Sequence, residues 1–338
     1  MTWIAMAVAA TTAMGLSWFG IRLTMPLLRR YALARPSARS SHVVPTPQGA
    51  GAAVIAATLL VSLVALGQAG LAREGLPGLT AGVLLLVVVG AVDDIRPLAV
   101  LPRLTLHVAA VLAIVMTTAD RPGWLPGSWP PAIESALLVV AGVWFVNLVN
   151  FMDGLDWLTV TEMVPLTAMV ALFAAAGIVD AAGGLVAAAA CGALLGFAPS
   201  NKPPARVFLG DVGSLPIGLI GFWLLLQLAL QGAWAAALLL PLYYVVDATL
   251  TLALRVGRRE RFWEPHRSHF YQRATANGWS VSAVVGRVAA LNGSLTLLAL
   301  SAVVADDPRL GLALLAVGGV AVAWTLRAFA RPPAGAAA

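Results

Sequence analysis

The chain has 338 residues, of which 60% are hydrophobic and only 11% charged, with a net charge of +6. Soluble domains carry about 25% charged residues, so this composition excludes an ordinary soluble enzyme, a disordered chain and a coiled coil. The one cysteine, Cys191, leaves no internal disulfide and no CxxC metal site.

A helix needs about 20 apolar residues to cross a bilayer core. Eleven spans are predicted, at 2–28, 48–70, 76–92, 99–118, 132–149, 158–178, 181–199, 213–231, 233–255, 281–304 and 309–329. The first is too long, and lacks the basic start, for a cleavable signal peptide; it is expected to remain as an anchor. The third is short. Only Val179 and Asp180 separate the sixth and seventh, which predicts a tight helical hairpin. The fold class is therefore an all-α, polytopic membrane protein with about eleven transmembrane helices. Residues 1–331 read as one membrane domain and 332–338 as a disordered tail.

Of the 21 basic residues, sixteen fall in segments on the side of residues 29–47 and three, Arg73, Arg121 and Arg309, on the other; Arg22 and Arg287 lie within spans. The Arg-rich side is the cytoplasmic one, with the N-terminus outside and the C-terminus inside. The positive charge suits topology and anionic lipid. Nucleic acid is not an expected partner, because no basic run is interleaved with exposed aromatics.

Four polar constellations share that face. VDDIRPL carries Asp93 and Asp94 at the end of span three. NLVNFMDGLDWL carries Asn147, Asn150, Asp153 and Asp156 at the end of span five. VFLGDVGS carries Asp211 before span eight. EPHRSHFYQR carries His266, Arg267, His269 and Arg273 in the longest inner loop. Asn147, Asn150 and Asp153 lie at three-residue intervals, one face of a continuing helix. The glycines around Asp211 allow a ligand close to the backbone, and Ser214 or its neighbours open span eight, whose first amides favour anions. His107, within span four, reads as an interhelical hydrogen-bonding residue, and Asp247, within span nine, as a group that reaches the inner interface or pairs with an arginine.

Each motif alone has a bland reading as a solvated cap, a turn or a topology signal. Their joint occurrence on one face does not, because gathered carboxylates repel unless a cation joins them. Oxygen donors without cysteine suit Mg²⁺, or Mn²⁺, over zinc. A hard cation beside Arg and His at a membrane points to phosphate chemistry. The rival is a transporter, which should place its ionisable groups near the midplane and expose them to both sides; here they crowd one face, and the same aspartates argue against an inactive scaffold.

The four motifs in this order, with RSSHVVPTPQGAG at 39–51, resemble the polyprenyl-phosphate N-acetylhexosamine-1-phosphate transferases over about 35–331. HRSHFYQRA is most similar to the form found in O-antigen initiators. The resemblance implies a bacterial inner-membrane enzyme with its site on the cytoplasmic face. It implies transfer of a sugar-1-phosphate from a UDP-N-acetylhexosamine to undecaprenyl phosphate, with Mg²⁺, releasing UMP. By the same resemblance Asp211 is the metal ligand, Asp93 and Asp94 a catalytic pair, and Asp153 and Asp156 a second catalytic pair. Asn147, Asn150, His266, Arg267, His269 and Asp247 contact substrate. Asp93 is either a general base or a metal and positioning group. A homodimer is allowed, though no interface is legible. Phe262, Trp263 and Phe270 offer rings for uracil stacking or for anchoring the loop at the interface. Two departures stand out: Trp157 occupies the place of the second glycine of DGxDG, either narrowing the site or resting at the interface, and Gln48 and Ala50 stand where relatives carry Arg and Gly.

Overall fold

The computed structural model describes residues 3–34, 45–71, 76–117, 129–261 and 266–333. Arg35, Arg39, Arg73, Arg121, Phe262, Trp263, the RSSHV half of the early loop and most of the tail lie outside the described residues.

The helices are α1 (Trp3–Tyr31), α2 (Gly51–Gln68), α3 (Leu76–Ile95), α4 (Val100–Val115), α5 (Pro131–Met152), α6 (Leu158–Ala175), α7 (Ala181–Asn201), α8 (Asp211–Leu230), α9 (Trp234–Leu239), α10 (Leu242–Gly257), α11 (Phe270–Ala276), α12 (Val281–Ala305) and α13 (Pro308–Phe329). Two short strands, β1 (Leu33–Ala34) and β2 (Thr46–Pro47), pair antiparallel. Nine of the described helices are long and apolar enough to cross a membrane, and α4 is a shorter apolar helix. The protein is thus an all-α polytopic membrane protein, as its composition requires.

The differences from the predicted spans have local causes. Span nine is two helices, α9 and α10, because Pro241 has no N–H to donate into a continuing ladder. Span three runs on to Ile95, so Asp93 and Asp94 stand inside its last turn. The sixth and seventh spans pack along each other, but residues 176–180 join them, and the Asp180 carboxylate caps α7 by accepting from Gly183 N–H at 2.7 Å.

α8 is apolar all round and its spanning stretch is wholly buried, packed by α2, α3, α5, α6 and α9. A helix of that pattern belongs in the interior. α1, α12 and α13 form the periphery, with most of each spanning stretch turned outward. Asp211 opens α8, so the centre of the bundle ends in a carboxylate.

Candidate active site

The site is built around the first turn of α8. The N–H groups of Asp211 and Val212 donate to the Asp94 carboxylate at 2.9 and 3.1 Å. The helix therefore starts at Asp211, just ahead of the predicted span at 213–231, and its leading amides are taken by the protein's own anion. This close docking of α3 on α8 needs Gly90, since a Cβ there would collide with the Asp211 carbonyl. The glycines flanking Asp211 likewise serve protein contacts: Gly210 lies against the Asp94 carboxylate and Gly213 against Gly51. That is a correction to the expectation that they make room for a ligand.

Asp93 points elsewhere. Its Oδ1 accepts from Leu98 N–H at 2.6 Å and its Oδ2 from Arg103 Nη1 at 3.0 Å. It also faces the Asp211 carboxylate. Sequence reasoning counted Arg103 only toward topology. Its spacing four before His107 on α4 is the signal that both share one face. His107 is fully buried, beside the Asn147 amide, with no hydrogen bond to either ring nitrogen. Asn147 Nδ2 turns back to the Val143 carbonyl of its own helix at 2.7 Å.

One turn further along α5, Asn150 Nδ2 donates to Asp211 Oδ1 at 2.8 Å and to Ser214 Oγ at 2.9 Å. Asp153 caps the end of α5, and the Thr159 hydroxyl donates to it. Burial pushes the Asp153 carboxyl up to about 7, with Asp94 and Asp156 adding to the rise and Thr159 opposing it. Asp156 is buried, and its Oδ2 accepts from Ala205 N–H at 2.8 Å, fastening the loop that leads to Asp211.

The early PTPQGAG segment joins the same floor. Phe208 N–H donates to Pro47 O at 2.8 Å, and the N–H groups of Gly49 and Ala50 donate to Phe208 O at 3.1 Å. Gln48 Nε2 donates to the Asp94 carbonyl at 3.1 Å, and Ala50 is buried.

Trp157, half-buried beside Asp156, is held against the end of α7. Its backbone is left-handed, φ 65°, which explains why a glycine suits that place. Its N–H donates to Asn201 Oδ1 at 2.8 Å and its indole Nε1 to the Ala198 carbonyl at 2.6 Å, both at the end of α7. A left-handed non-glycine residue costs about 1–2 kcal/mol, whereas the half-buried Trp157 stands to lose part of the roughly 3–5 kcal/mol that a fully buried Trp loses, together with an indole hydrogen bond worth about 1 kcal/mol. Packing wins, so Trp157→Gly is expected to lower the thermal midpoint in detergent, despite relieving the backbone. A raised midpoint would show that strain dominates.

The fourth constellation docks on the second. Tyr271 OH donates to the Phe151 carbonyl at 3.0 Å, over Gly154, where any Cβ would strike the phenol oxygen. Asp247 is fully buried and supports this loop from beneath. Its oxygens accept from the N–H groups of Phe270 and Tyr271 at 3.0 and 3.3 Å and from the hydroxyls of Thr251 and Tyr243, both at 3.3 Å; His269 Nδ1 lies 3.4 Å away. Asp247 thus caps α11, a helix the sequence reading lacked. His269 stacks near Tyr271, His266 and Phe151. Arg267 is exposed beside them, and Phe270 is buried under Arg273, 4.9 Å from its ring.

One end of the bundle therefore gathers Asp93, Asp94, Asp211, Asn150, Asp153 and Arg103, with the 266–273 loop latched alongside. A family model for glycosyl transferase family 4 matches residues 76–229. The decaprenyl-phosphate N-acetylglucosaminephosphotransferase of Mycobacterium leprae is 28% identical over 322 residues, 83% of this chain and 79% of that one. That of Mycobacterium tuberculosis is 29% identical over 315 residues, covering 83% and 78%. The phospho-N-acetylmuramoyl-pentapeptide-transferase of Deinococcus radiodurans is 28% identical over 325 residues, covering 84% and 95%. The glycosyl transferase family 4 match and these relatives, which span over four-fifths of the chain, together support that family for it.

On these matches it is an enzyme, a membrane-embedded transferase. The family match runs from α3 to α8 and so contains three of the four constellations. No group of three or more His, Cys, Asp or Glu side chains gathers as a metal cage among the described residues. The chemistry of the donors nevertheless fits a hard cation, because two carboxylates, Asp93 and Asp211, face one another. Mg²⁺ is usually held by one or two carboxylates, the rest of its shell being water and phosphate.

Proposed function

We propose that this glycosyl transferase family 4 enzyme transfers an N-acetylhexosamine-1-phosphate from a UDP-sugar to undecaprenyl phosphate or a similar polyprenyl phosphate, in cell-envelope synthesis. The relatives' names supply the acceptor class: decaprenyl phosphate for the mycobacterial enzymes. The observation that carries the reading is the Asp211–Asp93 pair at the buried head of α8, with Asn150 and Arg103 beside it. The Arg-rich loops support a cytoplasmic setting for this end, where a nucleotide sugar is available and the polyprenyl phosphate reaches it from the adjacent leaflet.

An oxygen of the lipid phosphate forms the new bond to the β-phosphorus. The bond from that phosphorus to the bridging oxygen breaks, and UMP leaves. Asp211 and Asp93 would hold Mg²⁺, which neutralises phosphate charge when bound. Arg103 and Arg267 add positive charge on either side, so positioning and electrostatics carry the catalysis. Both Asp93 oxygens already accept hydrogen bonds, which supports a metal and positioning role over proton abstraction. The lipid phosphate needs little help in any case, with a second pKa of about 6. Asp94 and Asp156 act by fixing the backbone around Asp211, Asp153 by closing α5 and accepting from Thr159, and Asp247 by latching the loop that carries His266, Arg267 and His269.

UMP release by purified protein with undecaprenyl or decaprenyl phosphate, Mg²⁺ and a panel of UDP-N-acetylhexosamines tests this. Lipid-dependent release from one donor is expected. Release that ignores the lipid, or none from folded protein, sinks the proposal.

Asp153 adds a pH test. It holds its proton up to about 7 when folded but only to 3.8 unfolded. Stability contributed by that bound proton is lost as pH rises from about 4 through about 7. In chelator the thermal midpoint is therefore expected to fall between about pH 5 and 8, Asp153→Asn to flatten the fall, and Mg²⁺ to offset it most at the alkaline end. A midpoint that rises with pH contradicts the assignment.

A further inference from the structure

Arg287 is the seventh residue of α12, about 9 Å along the helix at 1.5 Å per residue. It lies inside a spanning helix, at the same end of the bundle as the aspartates, since α11 and the latched loop lead directly into α12. Its guanidinium carbon sits 4.3 Å from the ring centroid of Trp324 on α13 and 5.9 Å from that of Trp279. Nε and Nη2 are sealed, and no group accepts from them. Neither α12 nor α13 contains an acidic residue. On the neighbouring α6 and α10, Glu162 Oε2 accepts from Asn292 Nδ2 at 2.6 Å, and Asp247 holds α11; neither is ion-paired with Arg287. Arg287 thus has no counter-charge among the described residues.

The surroundings are rigid and basic. Trp279 Nε1 donates to the Arg331 carbonyl at 3.0 Å, Asn277 Nδ2 to the Phe329 carbonyl at 2.9 Å, and Trp279 meets Phe329 edge-on. Trp324 and Arg327, three residues apart on one face of α13, and Arg331 just beyond its end are all exposed.

We propose that Arg287, Trp279 and Trp324, with Arg327 and Arg331, form a binding site for the headgroup of an anionic phospholipid in the leaflet at this end. An ionised group within a membrane helix requires a partner. A lipid phosphate supplies both the charge and the acceptors that a guanidinium fits. Indoles at headgroup depth flank it, and a basic pocket between membrane helices at the cytoplasmic end is the setting for anionic lipid. The site shares no residue with the catalytic cluster, and the inference stands or falls independently of the transferase reading.

Native mass spectrometry of the full-length protein in detergent tests it, with phosphatidylglycerol, phosphatidylethanolamine and inorganic phosphate as probes. Wild type is expected to retain phosphatidylglycerol over phosphatidylethanolamine, and Arg287→Gln to cut that retention at least about threefold, by the loss of one charge-assisted contact. The exposed pair Arg327→Gln with Arg331→Gln, which disturbs no buried contact, should weaken it as well and decides the matter if Arg287→Gln does not fold. Unchanged retention in a folded Arg287→Gln protein, or in the double variant where that one fails, overturns the site. So does displacement of the lipid by millimolar phosphate, which would mark a general anion site.

Discussion

Asp211→Asn is expected to lower UMP release by at least about 100-fold, the scale on which loss of one preorganised electrostatic partner acts. The substitution keeps the shape of the side chain at the head of α8, and the backbone amide of residue 211 still donates to Asp94. The fold should therefore persist, with a thermal midpoint near that of wild type. What disappears is one of the two carboxylates that face each other. The Mg²⁺ concentration needed for half-maximal rate should rise together with the loss of rate. An Asp211→Asn enzyme with a normal Mg²⁺ titration would remove it from the metal site, whatever its residual activity.

Asp247→Ala is expected to act through structure. Four donors converge on this carboxylate, two of them the amides of Phe270 and Tyr271. Removing it leaves buried amides without partners, and breaking a buried charged network costs about 3–5 kcal/mol. The thermal midpoint should fall by roughly 5 °C or more. Turnover should fall too, because the Tyr271 anchor that holds the loop against Phe151 loosens. Asp247→Asn keeps one acceptor oxygen and should recover part of both losses. A raised KM for the UDP-sugar in Asp247→Ala, with an unchanged midpoint, would instead return Asp247 to the substrate contacts suggested by family resemblance.

Much of the fold was legible because membrane spans are a local property. About 20 apolar residues in a row commit to a helix whatever lies elsewhere, since lipid offers no partner for a free backbone amide. The exceptions were also local in cause but needed a partner to locate them. Pro241 broke span nine, and Asp94 drew the start of α8 back to Asp211. α11 escaped notice because a helix of seven residues has too little periodicity to show; Asp247, 23 positions earlier, caps it.

The sequence by itself determined that the chain is a membrane protein, roughly where it crosses, and that its unusual acids collect at one end. It also named the family, through motifs that are short and ordered. Only the tertiary structure separated the aspartates by what they touch. Asp93 meets Arg103, Asp94 the amides of α8, Asp156 the Ala205 amide and Asp247 those of α11. All are the same residue type at the same end of the bundle. Their partners lie 10 to 117 positions away, and which partner each one meets is settled by helix packing, a property no stretch of sequence carries alone. Trp157 makes the same point: its left-handed backbone follows a local demand for glycine, but its indole is kept by α7, 41 positions on.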